Sequence, residues 1–200
     1  MIGFRWFLAF LFFISAGCSQ PVANLDSVGE TIVCFGDSIT EGDGVSPKES
    51  YPVLLGLKLK EKVINAGVSG ETTTDGLKRI EKDVLAHDPR IVIVEFGGND
   101  FLHQVPMEET FRNIEQMIER IQKHGAMVVL ATVKTGILGD AYSQRFKEIA
   151  REHKALLIPD IMRGIFDHPE FKSDEIHPNR EGYRMIADRI YRDIKPLLKN

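Results

Sequence analysis

Five short apolar runs punctuate the chain: Thr31–Phe35, Lys62–Asn65, Ile91–Phe96, Met127–Thr132 and Ala155–Ile158. Most are continuous in Val, Ile and Leu instead of alternating with polar residues, the pattern of strands buried on both faces. Between them the apolar period changes. Met107, Phe111, Ile114, Ile118 and Ile121 recur at helical spacing, and Gly125 follows as a stop. Leu77, Ile80 and Val84 repeat that spacing behind Thr72-Thr73-Thr74-Asp75, which caps and charges a first helical turn. Tyr142, Phe146 and Ile149 mark another helix; Ile186, Ile190 and Ile194 mark the last. Strand and helix alternate throughout, so the pattern predicts an α/β fold, a five-stranded parallel sheet sandwiched between helices.

Residues 1–17 stand outside this pattern. Arg5 gives a short positive region, Trp6–Ile14 is almost wholly apolar, and Ser15, Ala16 and Gly17 are small. This reads as a secretory signal peptide, too short for a comfortable membrane span. The following Cys18 resembles the lipidated cysteine of the bacterial lipobox, with Ser15 where that motif usually has Leu. The alternative is an ordinary cleaved signal with an incidental cysteine; the expectation is cleavage before Cys18, a tether over 18–28, a domain over 29–200, and an exported, lipid-anchored protein of the bacterial envelope. Cys34 would then be the remaining thiol. It lies within the first strand and reads as a small buried hydrophobe, so no intrachain disulfide is available and packing must hold the fold.

The net charge of −4 argues against nucleic acid as a default partner. The chain has no internal repeat or low-complexity tract. No His-Glu-x-x-His spacing, cysteine pair, phosphate-cradling loop or dinucleotide fingerprint occurs, and neither metal nor cofactor is expected. His87, His124 and His153 fall near helix ends, where solvated or capping roles suffice; His103 and His168 carry no motif.

In parallel α/β sheets, ligands bind beyond the carboxyl ends of the strands. That rule selects the segments 36–50, 66–72, 97–105, 133–141 and 159–177. They hold Gly36-Asp37-Ser38, Gly97-Gly98-Asn99-Asp100 and Asp174-Glu175-Ile176-His177. Each has an ordinary reading when taken singly. Ser38 and Thr40 could cap a helix, Gly97-Gly98-Asn99 could be a loop with awkward backbone angles, and His177-Pro178-Asn179 could start a helix. Their joint placement at strand ends favours a site. A serine is a poor nucleophile without a base and an oxyanion site, and these segments offer both. Asp37 reads as a structural partner that shapes the turn. Thr40 stands where Gly-x-Ser-x-Gly would need its second glycine, which argues against an α/β-hydrolase elbow.

Four blocks in order resemble the GDSL, or SGNH, hydrolase family, near its bacterial lysophospholipase and thioesterase/arylesterase branch. They are Gly36-Asp37-Ser38, the glycine block Asn65–Thr72, Gly97-Gly98-Asn99-Asp100, and Asp174-Glu175-Ile176-His177-Pro178-Asn179. The similarity runs from about Val28 to the C-terminus. It implies a three-layer, flavodoxin-like sandwich and a serine esterase needing no cofactor. Ser38 would be the nucleophile and His177 the base. Asp174 would orient His177 from within one turn. Ser38 N–H, Gly70 N–H and the Asn99 amide would form the oxyanion hole. Small acyl esters, thioesters or lysophospholipids are the expected substrates. Phe101, Leu102, Ile137 and Leu138 would wall an acyl pocket. The alternatives are a carbohydrate O-acetylesterase, with Tyr51, Phe101 and Tyr142 as the available aromatic faces, and an inactive surface-anchored binding protein.

Overall fold

The structure, a computed structural model, describes residues 22–134 and 139–198. In chain order it comprises β1 (Thr31–Gly36), α1 (Ser38–Glu41), α2 (Tyr51–Leu59), β2 (Val63–Gly67), α3 (Thr73–Asp83), β3 (Pro89–Glu95), α4 (Gly98–Leu102), α5 (Met107–Lys123), β4 (Met127–Ala131), α6 (Gly139–Glu152), β5 (Leu156–Ile158) and α7 (Arg180–Ile194). The five strands form one parallel sheet in the order β2-β1-β3-β4-β5.

Two cores explain why the strands read as continuous apolar runs. Val33 and Phe35 of β1, Val92 and Val94 of β3, and Val128 and Leu130 of β4 face α3, α5 and α6, meeting Ile80, Phe111, Ile114, Ile118 and Phe146. Their neighbours Ile32, Cys34, Ile91, Ile93, Met127 and Val129 face α2 and α7, meeting Tyr51, Leu55, Tyr183, Ile186 and Ile190. Successive side chains of a strand point to opposite faces, so two covered faces require an apolar residue at every position. Full burial of each such side chain is worth about 1.5–3 kcal/mol.

All five expected strands are present, with edges moved by one or two residues. Lys62 falls outside β2, and β3 runs from Pro89 to Glu95 and stops before Phe96. The helix starts also differ in detail. Thr72 caps α3 through a reciprocal box with Asp75. The cap of α1 is Asp37, whose Oδ1 accepts from Ile39 N at 3.1 Å, in place of Ser38 or Thr40. Asn179 caps α7, and Pro178 precedes that cap instead of sitting in the first turn. α2 and α4 carried no sequence signal. α2 exposes Val53 and Leu57 while burying Leu55, so apolar residues on both faces blur its period. α4 spans only five residues.

Ahead of β1, the chain is fastened across the end of the sheet where the strands begin. Ala23 N–H donates to Lys154 O at 2.8 Å, just before β5. Asn24 Nδ2 donates to Gln122 O and Ala126 O at 2.9 and 3.0 Å, just before β4. Glu30 N–H donates to Asp88 O at 3.0 Å, just before β3.

Candidate active site

β1 and β3 are neighbours, and the strand order reverses direction between them, which opens a crevice at their carboxyl ends. Ser38 leaves β1 and Asn99 leaves β3 at this crevice. Asp37 ends the extended backbone and caps α1, which lifts Ser38 onto the rim as the first helical residue. At Gly67 an added Cβ would collide with the Glu41 backbone, so only glycine lets the end of β2 close on α1.

Ser38 Oγ lies 3.0 Å from His177 Nε2. On the other side of the ring, His177 Nδ1 lies 2.8 Å from Asp174 Oδ2. The 174–177 segment is a bend. Asp174 Oδ1 accepts from Ile176 N and His177 N, both at 2.8 Å, and folds the bend around its own carboxylate. These bonds, the His177 backbone N–H foremost, hold the Asp174 carboxyl down at about 2. An ionised carboxylate, an imidazole and a hydroxyl thus stand in series, an arrangement able to move the hydroxyl proton.

Two cavities flank Ser38. One is mostly apolar, lined by Ile39, Phe101, Leu102, Val133, Met162, Phe166 and Ile176, with Asp37, Ser38, Glu95, Gly98 and Asn99 at its polar side. The other is polar and lined by Glu41, Gly42, Asp43, Asp174 and His177. Phe101 and Leu102 line the apolar cavity; Ile137 and Leu138 lie outside the described residues, as do Cys18 and the signal segment. Tyr51 is fully buried and Tyr142 nearly so, and neither offers the open aromatic face that a sugar ring stacks upon.

Around Ser38, its own N–H starts α1 and needs no intrahelical acceptor. Gly70 has φ +77°, a conformation that favours glycine, and its N–H has no hydrogen-bond partner among the described residues. Gly70 does not line the apolar cavity. Its turn is tied to α1 instead, because Ser69 N–H donates to Glu41 Oε2 and Ser69 Oγ donates to Asp43 Oδ2 at 2.6 Å. Asn99 Nδ2 donates to Glu71 O at 3.0 Å and reaches Asp37 Oδ2 at 3.3 Å.

Several residues of this assembly carried no sequence signal. Glu41 and Asp43 are generic loop acids until their bonds to Ser69 are seen. Arg79, on α3, lies over the Phe35 ring and donates to Ala66 O, Gly36 O and Glu71, pinning the ends of β1 and β2 together. Glu95 ends β3 fully within the protein, accepting from Thr40 Oγ1 at 2.9 Å, with Tyr51 OH beyond Thr40 at 3.0 Å. It also hydrogen-bonds Asp37. Burial pushes Asp37 up to about 6, and burial together with the Asp37 charge pushes Glu95 well above the usual carboxylate range. The other titratable groups facing the pair are Tyr51, Tyr183, Asp100 and His177. No lysine or arginine among the described residues pairs with either carboxyl, so burial and their mutual repulsion favour the protonated forms. A charged residue inside an apolar strand was the available clue to Glu95.

A model of the GDSL-like lipase/acylhydrolase family matches residues 34–185. Thioesterase 1/protease 1/lysophospholipase L1 of Escherichia coli (strain K12) is 30% identical over 98% of this chain and 96% of its own. A Bacillus subtilis (strain 168) protein described as uncharacterized lipoprotein YqeF is 32% identical over 74% of this chain and 65% of its own. Among solved structures, the psychrotrophic esterase EstA from Pseudoalteromonas sp., inhibited by monoethylphosphonate, superposes with a TM-score of 0.76 at 27% identity, covering 86% of this chain and 100% of that one.

Proposed function

The chain belongs to the GDSL-like lipase/acylhydrolase family and is a hydrolase acting on ester bonds, and from that premise we propose that Ser38 is its nucleophile. The observation that carries this reading is the unbroken series from Ser38 Oγ through the His177 ring to Asp174. His177 takes the Ser38 proton as Oγ attacks the acyl carbonyl, and Asp174 steadies the imidazolium that forms. The oxyanion meets Ser38 N–H, Gly70 N–H and Asn99 Nδ2. For Asn99, the longer bond, to Asp37, is the one exchanged for the oxyanion while Glu71 O keeps the amide oriented. His177 then returns its proton to the leaving alcohol or thiol. Water next attacks the acyl-serine, and the same groups release the acid.

The acyl chain occupies the apolar cavity against Phe101 and Leu102, and the leaving group departs across the polar one. Small acyl esters and lysophospholipids both satisfy this division. A sugar acetate is less well served, since Tyr51 and Tyr142 are packed away and Phe101 alone of the three aromatic candidates lines the cavity. A fluorophosphonate tests the assignment. Peptide mass analysis is expected to find one adduct, on Ser38; an active enzyme labelled elsewhere overturns it. The phosphonate inhibition of the Pseudoalteromonas esterase supports the choice of probe.

Export with a lipid on Cys18 completes the proposal. The small-residue stretch before Cys18 and a relative described as a lipoprotein support it. No helix among the described residues is long and apolar enough to cross a membrane. Cys18→Ser is expected to move the protein from the membrane fraction to the soluble one; a protein that stays membrane-bound overturns the anchor.

A further inference from the structure

We infer that the end of the domain where the strands begin, with the strap over residues 22–30, lies on the lipid surface that holds Cys18, and that the catalytic rim faces the water. The inference rests on the lipid anchor and esterase reading above, and it selects among the substrates left open there. The enzyme acts on water-borne acyl esters and not on ester lipids of its own leaflet.

The argument begins with reach. Val22 is four Cα steps after Cys18, at most about 14 Å of extended chain. From Ala23 onward the chain is fastened to Lys154, Gln122 and Ala126, all at the strand-start end. All strands are parallel, so Ser38 and the two cavities stand at the opposite end. The six residues of β1 and the turn after them separate strap from Ser38 by about 20 Å, at about 3.3 Å of rise per residue. To bring the cavity mouth to the lipid, the anchor would have to climb that height around the outside of the domain. It is too short by several ångströms even for the straight path.

The chemistry of the two ends agrees with this orientation. The strap carries the most exposed large apolar side chain described, Val28 at 92%, with Leu25 beside it at 40%. Exposed Lys62, Lys123 and Lys154 lie at the same end, in the segments leading into β2, β4 and β5. Exposed Asp26, Glu30, Glu61, Asp88 and Glu152 share that end with the lysines, so it is the shallow apolar residues of the strap, and not a net positive charge, that match a lipid interface. The opposite rim carries Glu41, Asp43, Asp174 and Glu175 beside Lys48, Lys172 and Arg180, so charge does not distinguish the two ends. Of its exposed apolar residues, Leu102 and Ile176 line the cavity mouth and are accounted for there, which leaves Val68 and Met107 at 39% and 36%, far below Val28.

The test uses the full lipidated chain on phosphatidylcholine–phosphatidylglycerol vesicles. A bimane fluorophore is placed at Val28→Cys or at Lys48→Cys on the rim, since Cys34 is buried and out of reach. A nitroxide-headgroup lipid is expected to quench the Val28→Cys label several-fold and leave the Lys48→Cys label unchanged. Equal quenching of both, or of neither on vesicle-bound protein, overturns the orientation. A long flexible Gly/Ser insert between Gln20 and Pro21 is expected to raise hydrolysis of lysophosphatidylcholine in the same bilayer about tenfold, by letting the rim reach it, while p-nitrophenyl acetate turnover stays the same. Equal lysolipid hydrolysis with and without the insert overturns the substrate claim. Absence of p-nitrophenyl acetate turnover, with the quenching as expected, would locate the failure in the esterase reading. A chain that leaves the vesicles would locate it in the anchor.

Discussion

His177 Nε2 and Ser38 Oγ are 3.0 Å apart across 139 positions of sequence. Neither residue's own element brings this about. Asp37 caps α1 and fixes where the hydroxyl emerges, and Asp174 folds its bend through two backbone N–H bonds and fixes the ring. Two local carboxylate motifs, on loops at the same rim of the sheet, set a long-range contact.

Asp174 is expected to matter through its charge. Asp174→Asn should lower kcat by roughly 10³–10⁴, because the ring loses its tautomer and its counter-charge. The native carboxyl is held down at about 2. A depressed carboxylate contributes stability above its unfolded value, 3.8, and loses it as pH falls through the folded one. Thermal melts should therefore separate wild type from Asp174→Asn at neutral pH and converge towards pH 2.

Asn99→Ala should reduce kcat by about 10²–10³ with KM nearly unchanged, the signature of a donor used only in the transition state. Steady-state kinetics on p-nitrophenyl acetate reads this directly. A rise in KM at constant kcat would instead assign Asn99 to ground-state binding.

The buried Asp37–Glu95 pair predicts a contrast between two substitutions. Glu95→Gln keeps an acceptor for Thr40 and a donor for Asp37, so activity should remain near wild type. Glu95→Ala strips Asp37 of its donor and should lower kcat more than it raises KM, through a misplaced Asn99. The stability effect has a definite sign. Both carboxyls are raised on folding, so their contribution is fullest in acid and is lost as pH rises, for Asp37 between 3.8 and about 6. Melting temperature should accordingly fall less steeply with rising pH in Glu95→Gln than in wild type.

Leu102 is half exposed and lines the apolar cavity, so its truncation should spare stability and touch selectivity. Leu102→Ala should lower kcat/KM for hexanoate relative to acetate several-fold, since each methylene that loses its apolar partner forfeits up to about 0.8 kcal/mol. A chain-length series of p-nitrophenyl esters checks this.

The sheet was legible because burial on both faces writes an unbroken apolar run, and α3, α5 and α7 were legible because one covered face writes a 3.6-residue period. α2 was hidden by Val53 and Leu57, which are apolar yet exposed. Ser38, Asn99 and His177 stood out as polar residues beyond strand ends. Glu95 showed only as a charge inside the apolar run Ile91–Phe96, which a surface glutamate near a strand end would also give. Arg79 likewise sits among apolar helix positions, and only its bonds to Gly36 O and Ala66 O reveal why.

The central claim is covalent chemistry at one oxygen, and the turnover of p-nitrophenyl acetate by Ser38→Ala tests it most directly. Loss of hydrolysis to the uncatalysed rate, in a protein whose melting temperature stays close to wild type, is the predicted result. Hydrolysis continuing at the wild-type rate in that variant would contradict the account.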